Sequence, residues 1–500
     1  MLMNTAHLQD PQESQERRLF LRRAFFTAGA LSANTWLVAC GGGGEELPVS
    51  APTDSMAPPG SASPATPPAT PLATPAAPPP APLPPPPPSP TSPFAKLSAL
   101  QPADTNGVML PVGFSSRIVA RSGQEPVPGG SKWHPGPDGG AVFAAPDGGW
   151  VYVSNSEYLT LYRGSTTGGA SALRFNAQGD LSACYRVLKG TNINCAGGPT
   201  PWGTWLSCEE YEVSASQARL LGITRGGQVW ECDPFKPWVD GQGVSFPALG
   251  FFSHEALCVD PVRKMIYMTE DADGGRVYRF ECAPSDWPAG ASRPALQTGQ
   301  LKVLQVTQLS PDTDPSVPQP SGTVNLLQPT LVKWVDVASP GEPQKSVRDS
   351  LRSAGTAPPG HIFPKAEGMW FYNGMVFFAT TLNHRIWACD TQKDTLQVIY
   401  SGTPEQPELY ALNRPDNITV TQFGDILASE DGGNLEICVV RPDGTSQAVL
   451  RLLGHDKSEI TGPAITPDGR RLYFSSQRGT SSESTGLEGM TFEVLLPKMV

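Results

Sequence analysis

Charge is scarce in this chain. Of 500 residues only 17% are Asp, Glu, Lys or Arg, and 36 basic residues face 47 acidic ones for a formal net charge of -11. A chain short of positive charge lacks the electrostatic footprint of a nucleic-acid binder, which argues against that partner. Histidine is scarcer still, at six, too few for a metal centre built on imidazoles. Several catalytic signatures are missing. There is no GxSxG elbow and no P-loop, and His254-Glu255-Ala256-Leu257-Cys258 is not HExxH. The nine cysteines include no CxxC pair and no zinc-finger spacing, and their spacing does not say which of them pair as disulfides outside the cytoplasm. Helical periodicity is weak throughout.

What the chain does have is proline, 54 of them, and glycine, 51. That composition suits a turn-rich β protein joined to a low-complexity segment. Twenty of the prolines fall between residues 41 and 93, among Ala, Ser, Thr and Gly. Such a stretch cannot bury enough apolar surface to offset its ordering entropy. Residues 40–97 are therefore expected to be a disordered, polyproline-like tether. Before it, Arg17-Arg18-Leu19-Phe20-Leu21-Arg22 resembles a twin-arginine export motif. A mildly apolar run over residues 24–39 follows, short for a membrane span. Leu37-Val38-Ala39-Cys40 resembles a lipoprotein cleavage box. The expectation is a signal peptide over residues 1–39, lipid on Cys40, and a periplasmic or cell-surface location whose only membrane contact is that anchor.

The densest stretch runs from Asn194 to Glu210. Cys195 lies close to Gly197 and Gly198, a turn follows at Pro201 and Gly203, and a short apolar strand ends in Glu209-Glu210. The spacing of Cys195 and Glu210 fits two strands joined by a turn. A thiolate and a carboxylate brought together this way make a metal site; a buried thiol beside a solvated acidic strand end is the other reading.

A strand ending in a polar residue recurs six times, closing on Glu157, Glu210, Asp271, Thr381, Asp431 and Gln477. Most intervals are roughly 46 to 61 residues, a period that suggests a six-bladed β-propeller; a pair of β-sandwiches is the alternative. The interval from Asp271 to Thr381 is longer and holds a Pro-rich, poorly periodic stretch near residues 283–360. It is expected to be an irregular insertion in one blade or a cap over one face. The folded domain is expected to span residues 98–500. A second polar set precedes each strand: Asp138, Cys195, His254-Glu255, Glu367, Asp416-Asn417 and Glu459. If blades are equivalent these side chains converge on one axis, where so many carboxylates repel one another unless cations neutralise them. Hard oxygen ligands suit calcium, magnesium, manganese or ferric iron, and the thiolate adds a preference for a transition metal. Metals bridged by carboxylates serve to hydrolyse phosphate esters.

At these residues the chain resembles the PhoX-type alkaline phosphatases. The matching runs are residues 194–210, residues 251–280 with Ser253-His254-Glu255 and Thr269-Glu270-Asp271, residues 363–368, Arg414-Pro415-Asp416-Asn417-Ile418, and Glu459-Ile460-Thr461-Gly462-Pro463 with Pro467-Asp468-Gly469. The resemblance implies a six-bladed propeller and an iron–calcium cluster that hydrolyses phosphomonoesters. On it, Cys195 is the thiolate on ferric iron (Fe3+), Glu255 and Glu367 bridge iron and calcium (Ca2+), and Glu210, Asp271 and Glu459 hold calcium. Two departures lie at the substrate end. Similar proteins tend to read Asn-His-Glu where this chain reads Asn155-Ser156-Glu157, and to carry Arg where it has Lys365. Glu157 and Lys365 are accordingly the candidate catalytic residues. The expected protein is a monomeric, exported phosphatase acting on a small phosphoester. A non-catalytic calcium-binding propeller and a calcium-dependent propeller lactonase are the alternatives.

Overall fold

The computed structural model describes residues 92–158, 168–211, 226–239, 243–317, 324–402, 411–481 and 487–497. The signal peptide expected over residues 1–39 and the tether up to residue 91 lie outside them. Residues 92–97, expected to be disordered, are packed: Phe94 is fully buried among Val108, Ile437 and Leu450, and Ser92 Oγ donates to Asp425 at 2.6 Å. One aromatic side chain at the end of a proline run is enough to pin the chain to the core.

The fold is all-β and propeller-like. Strands β1 (Val108–Met109) and β2 (Ser115–Arg121) come first. β3 (Pro137–Ala144), β4 (Trp150–Ser156), β5 (Gly169–Phe175) and β6 (Leu181–Leu188) make one antiparallel meander. β7 (Asn194–Pro199), β8 (Trp205–Glu209), β9 (Val229–Cys232) and β10 (Val244–Ser245) make the next. β11 (His254–Asp260), β12 (Met265–Glu270), β13 (Val277–Cys282) and β14 (Gly299–Val306) open a nine-stranded sheet. It continues through β15 (Thr330–Asp336) into β19 (Thr395–Ser401), β18 (Arg385–Asp390), β17 (Met375–Thr380) and β16 (Ala366–Tyr372). Helix α1 (Gln344–Ser353) lies between β15 and β16 in the chain. β20 (Pro415–Val420), β21 (Ile426–Glu430), β22 (Glu436–Val440) and β23 (Ser446–Leu452) take β1 as a fifth strand. β24 (Ile460–Ile465), β25 (Arg471–Ser476) and β26 (Met490–Leu495) take β2. Pairing the first long strand with the last ties the two ends of the domain together.

Each meander presents two faces to its neighbours, so its strands carry aromatic and β-branched residues with little alternation; β4 is buried at all seven positions. Apolar clusters fill the wedges between runs. Val151 and Ala170 meet Trp205 and Cys232 in one; Leu427 and Ile437 meet Phe474 and Phe492 in another. The first strands form a closed ring, β3 beside β7, β7 beside β11, then β16, β20, β24 and back to β3.

Two expectations change. The strands form five sheets among the described residues because β15 pairs with both β14 and β19 and fuses two runs. And the stretch near residues 283–360 is not wholly irregular. It supplies β14, β15 and α1, and its described prolines all lie outside these elements. All eight described cysteines are free thiols.

Candidate metal centre

One register repeats around the ring. The residue just past each second strand donates its backbone N–H to the residue just before the first strand, at 2.9–3.2 Å. Glu157 bonds Gly136, Glu210 bonds Ile193, Asp271 bonds Ser253, Thr381 bonds Lys365, Asp431 bonds Arg414, and Gln477 bonds Glu459. Two residues on from each acceptor stand Asp138, Cys195, Glu255, Glu367, Asp416 and Thr461. The first five fall inside a break in ladder register, between Pro137 and Gly140, Asn194 and Gly197, His254 and Leu257, Ala366 and Met369, and Pro415 and Ile418. A bulge re-aims a side chain out of the sheet plane, and here it does so at the same place in five first strands. Glu459 is thus two positions earlier than the residues it was grouped with, in register with Lys365 and Arg414. Thr461 holds the equivalent place.

Close approach of neighbouring first strands fixes these bulges. A Cβ on Gly139 would lie 2.4 Å from Ala196 Cα, and one on Gly368 would lie 2.5 Å from Ile418 N, so no larger residue fits. Side chains then bond across to the next strand. Asn155 Nδ2 donates to Ala196 O at 2.5 Å, Thr269 Oγ1 to Glu367 O at 2.6 Å, and Thr461 Oγ1 to Pro137 O at 2.8 Å.

The adjacent acidic pairs that end β8, β12 and β21 divide their work. Glu209 turns inward and accepts the N–H groups of Asn192 and Gln228; Glu430 accepts those of Asn413 and Glu436. Glu270 accepts from Arg276 N, and its other oxygen takes Arg348 of α1 at 2.5 Å. The partners Glu210, Asp271 and Asp431 belong to the ring's polar end.

Two groups there can each hold an ion. Asp138, Glu157 and Cys195 bring ligand atoms within 4.8 Å of one another, as do Glu255, Asp271 and Glu367. Cys195 Sγ also lies 3.1 Å from Glu210 Oε2, donating to it. Gln477 Nε2 bonds Asp138 Oδ2 at 2.9 Å and also reaches Glu157. Burial, then the charges of Glu157 and Glu459, holds the Asp138 carboxyl well above its usual range. Burial, then Glu367, Asp416 and Asp138, does the same to Glu255; Asp416 behaves likewise, with burial first and Glu367 next. The Cys195 thiol is pushed up by burial and by four surrounding carboxylates. A thiol and carboxyls that resist ionising together are a donor set that cations complete.

The predicted residues therefore converge, with two changes of place. Glu157 stands within the thiol group, among ligand-competent atoms. Glu459 is paired with Arg478 at 3.1 Å and also lies close enough to Asp138, Asp416 and Asp431 to act on their carboxyls. Asp138 and Asp416, which sequence reading placed in the polar set but not among the metal ligands, sit on two of the five bulges. Lys365 is buried, its Nζ 3.9 Å from both Glu367 and Asp431. Ser156 turns away and donates to Pro135 O at 2.7 Å.

The profile of the family described as alkaline phosphatase PhoX matches residues 139–479, a span holding every site residue above except Asp138. No curated protein matches the chain in sequence. Among solved structures, Pseudomonas fluorescens PhoX in complex with vanadate, a transition state analogue, aligns over 79% of this chain and 97% of that one, with TM-score 0.59 and 18% identity, a likeness of fold. A gluconolactonase of Xanthomonas campestris aligns over 80% of this chain and 99% of that one with TM-score 0.38 and 11% identity. A virginiamycin B lyase of Staphylococcus aureus aligns over 77% and 99% with TM-score 0.39 and 12% identity. With its family profile covering most of the folded part, the chain belongs to the PhoX alkaline phosphatases, a family of metal-dependent phosphoester hydrolases.

Proposed function

We propose that this protein hydrolyses phosphomonoesters at an iron–calcium cluster on the axis of a six-bladed propeller. The nine-stranded sheet counts as two blades, β11–β14 and β16–β19, joined at their outer edges by β15. The ring of six first strands supports this count. The observation that carries the functional reading is the pair of ligand groups, one with a thiol and one of three carboxylates, set side by side in a chain of this family. Cys195, Asp138 and Glu157 suit ferric iron, since a thiolate favours a transition metal. Glu255, Asp271 and Glu367 would suit a hard cation such as calcium, and the family resemblance assigns Glu255 and Glu367 to both metals. Glu210 and Glu459 are further calcium donors. When bound, these ions would polarise the phosphoryl oxygens and supply an activated oxygen nucleophile. The chain's own work is to hold the donors rigid through bulges and cross-strand bonds, and to set Lys365 beside Glu367 as a positive charge for the phosphoryl group.

A thiolate on ferric iron absorbs visible light. The purified protein is expected to be coloured, and Cys195→Ala to bleach it and lower its iron content. A colourless, iron-free wild type with full phosphatase rate would refute the iron assignment. The natural substrate class is a small phosphoester, and the working unit is a monomer. We further propose that the protein is exported by the twin-arginine route and anchored through lipid on Cys40. Cys40→Ser should release it from membranes, and replacing Arg17 and Arg18 with Lys should block its appearance in the periplasm; unchanged fractionation of both variants would remove this reading.

A further inference from the structure

Two neighbouring first strands are preceded by a cation in the same unusual backbone state. Lys365 has φ 51° and Arg414 has φ 45°, left-handed values that long side chains rarely adopt. They occupy one position in the register, because Thr381 N–H bonds Lys365 O at 3.0 Å and Asp431 N–H bonds Arg414 O at 3.1 Å. Arg414 is held from its other side as well, its own N–H donating to His384 Nδ1 at 3.1 Å. The same state recurs before β3 and β7, at Gly136 (φ 54°) and Ile193 (φ 48°), so it is how the chain enters a first strand; what sets positions 365 and 414 apart is the cation each carries.

The two side chains meet one carboxylate. Asp431 Oδ2 lies 2.6 Å from Arg414 Nη2 and 3.9 Å from Lys365 Nζ. Held by both cations, the Asp431 carboxylate is a fixed anchor. Arg414 also senses the charges of Glu459 and Glu367, both at the polar end. Its Nε is buried with no hydrogen-bond partner, so donor capacity is left over after Asp431 is satisfied. An unfilled donor on a preorganised guanidinium is suited to a tetrahedral oxyanion, and two cations from adjacent strands can reach two of its oxygens.

We infer that Arg414 is a second cation that grips the phosphoryl group alongside Lys365, and that Asp431 is the positioning residue that aims both. This rests on the phosphatase reading and deepens it. The pair explains how a chain with lysine at position 365 keeps a forked contact: the fork is on the neighbouring strand.

The test uses the metal-loaded full-length protein, with inorganic phosphate as the probe in a binding titration and p-nitrophenyl phosphate as the substrate. Arg414→Ala should weaken phosphate binding by about tenfold or more, the loss of a charge-assisted forked contact, at unchanged iron and calcium content. Arg414→Lys, which keeps charge and bulk, should recover part of that binding. Asp431→Asn should raise KM more than it lowers kcat, since it misaims the cations without removing them. If Arg414→Ala fails to load metal, the Arg414→Lys and Arg414→Gln pair decides, with Gln the weaker. Wild-type phosphate affinity in the metal-loaded Arg414 variants would overturn the inference while leaving the phosphatase reading intact, provided the wild type hydrolyses the ester. A metal-loaded wild type that neither binds phosphate nor hydrolyses the ester would overturn both.

Discussion

Lys365, buried 3.9 Å from Glu367 and Asp431, is where one side chain would set the level of chemistry at the proposed site. Arginine offers a planar fork to two oxygens, whereas lysine is a compact charge on a flexible stem. The transition state of phosphoryl transfer spreads charge over several oxygens, so the fork counts most there. Lys365→Arg is expected to raise kcat/KM on a simple phosphomonoester by about tenfold, corresponding to about 1.4 kcal/mol. Lys365→Ala should cost more than that and leave iron and calcium content unchanged. Equal kinetics for all three forms at matched metal occupancy would remove Lys365 from the site. Much of the site was legible at this scale. Cys195, Glu210, Glu255, Asp271 and Glu367 are conspicuous because carboxylates and a thiol end or precede short strands in a chain otherwise poor in charge. Glu459 lies two residues before the register of the others, since counting along a sequence does not reveal backbone register. The missed signal for Asp138 was the glycine after it, Gly139, which marks the close approach of the next strand.

At the scale of elements, the bulge is the unit that builds the site, and an alternating strand pattern cannot announce it. It inserts a residue whose only trace is a polar side chain where an apolar one is due. The insertion shows a second limit. β15 joins two runs at their outer edges and was hidden by its proline-rich flanks, so the sequence could count repeats but not foresee their fusion. Helix α1 carries an energetic consequence. In β8 and β21 the buried strand-end glutamate satisfies both oxygens with backbone N–H groups. In β12 the second oxygen of Glu270 depends on Arg348, which also donates to Tyr278 at 2.7 Å. Removing one partner of a buried pair leaves an uncompensated charge, at a cost of about 3–5 kcal/mol. Arg348→Met should therefore lower Tm markedly and weaken metal retention at the adjoining Asp271. Joint replacement of Arg348 and Glu270 by apolar residues should recover much of the stability. A Tm unchanged by Arg348→Met would show that α1 does not support the sheet.

For the whole molecule, the polar end of the ring is a reservoir of electrostatic strain that cations relieve. In the metal-free chain the carboxyls of Asp138, Glu255 and Asp416 are held above their ordinary values by burial and mutual repulsion. The folded state then binds more protons than the unfolded one, so this contribution is full below the unfolded carboxyl values near pH ~4 and is lost as pH rises through the raised folded values. With metals bound the sign reverses, because protons compete with cations for the same atoms. Burial pushes His254 down to about 3 and His455 down to about 4, and these neutral histidines destabilise both forms alike as pH falls below about 6.5. The Tm gap between metal-loaded and chelated protein should therefore be wide at pH 8 and narrow towards pH 5. A gap constant with pH would mean the carboxyl cluster is not where the metals bind.

Whether this ring is a metal-dependent phosphatase is decided by the rate of p-nitrophenyl phosphate hydrolysis before chelation, after it, and after calcium is restored. The purified protein is expected to hydrolyse the ester, to lose that hydrolysis on chelation, and to recover it when calcium returns to protein that has kept its iron. Undiminished hydrolysis by fully metal-free protein, or none by protein loaded with both metals, would contradict it.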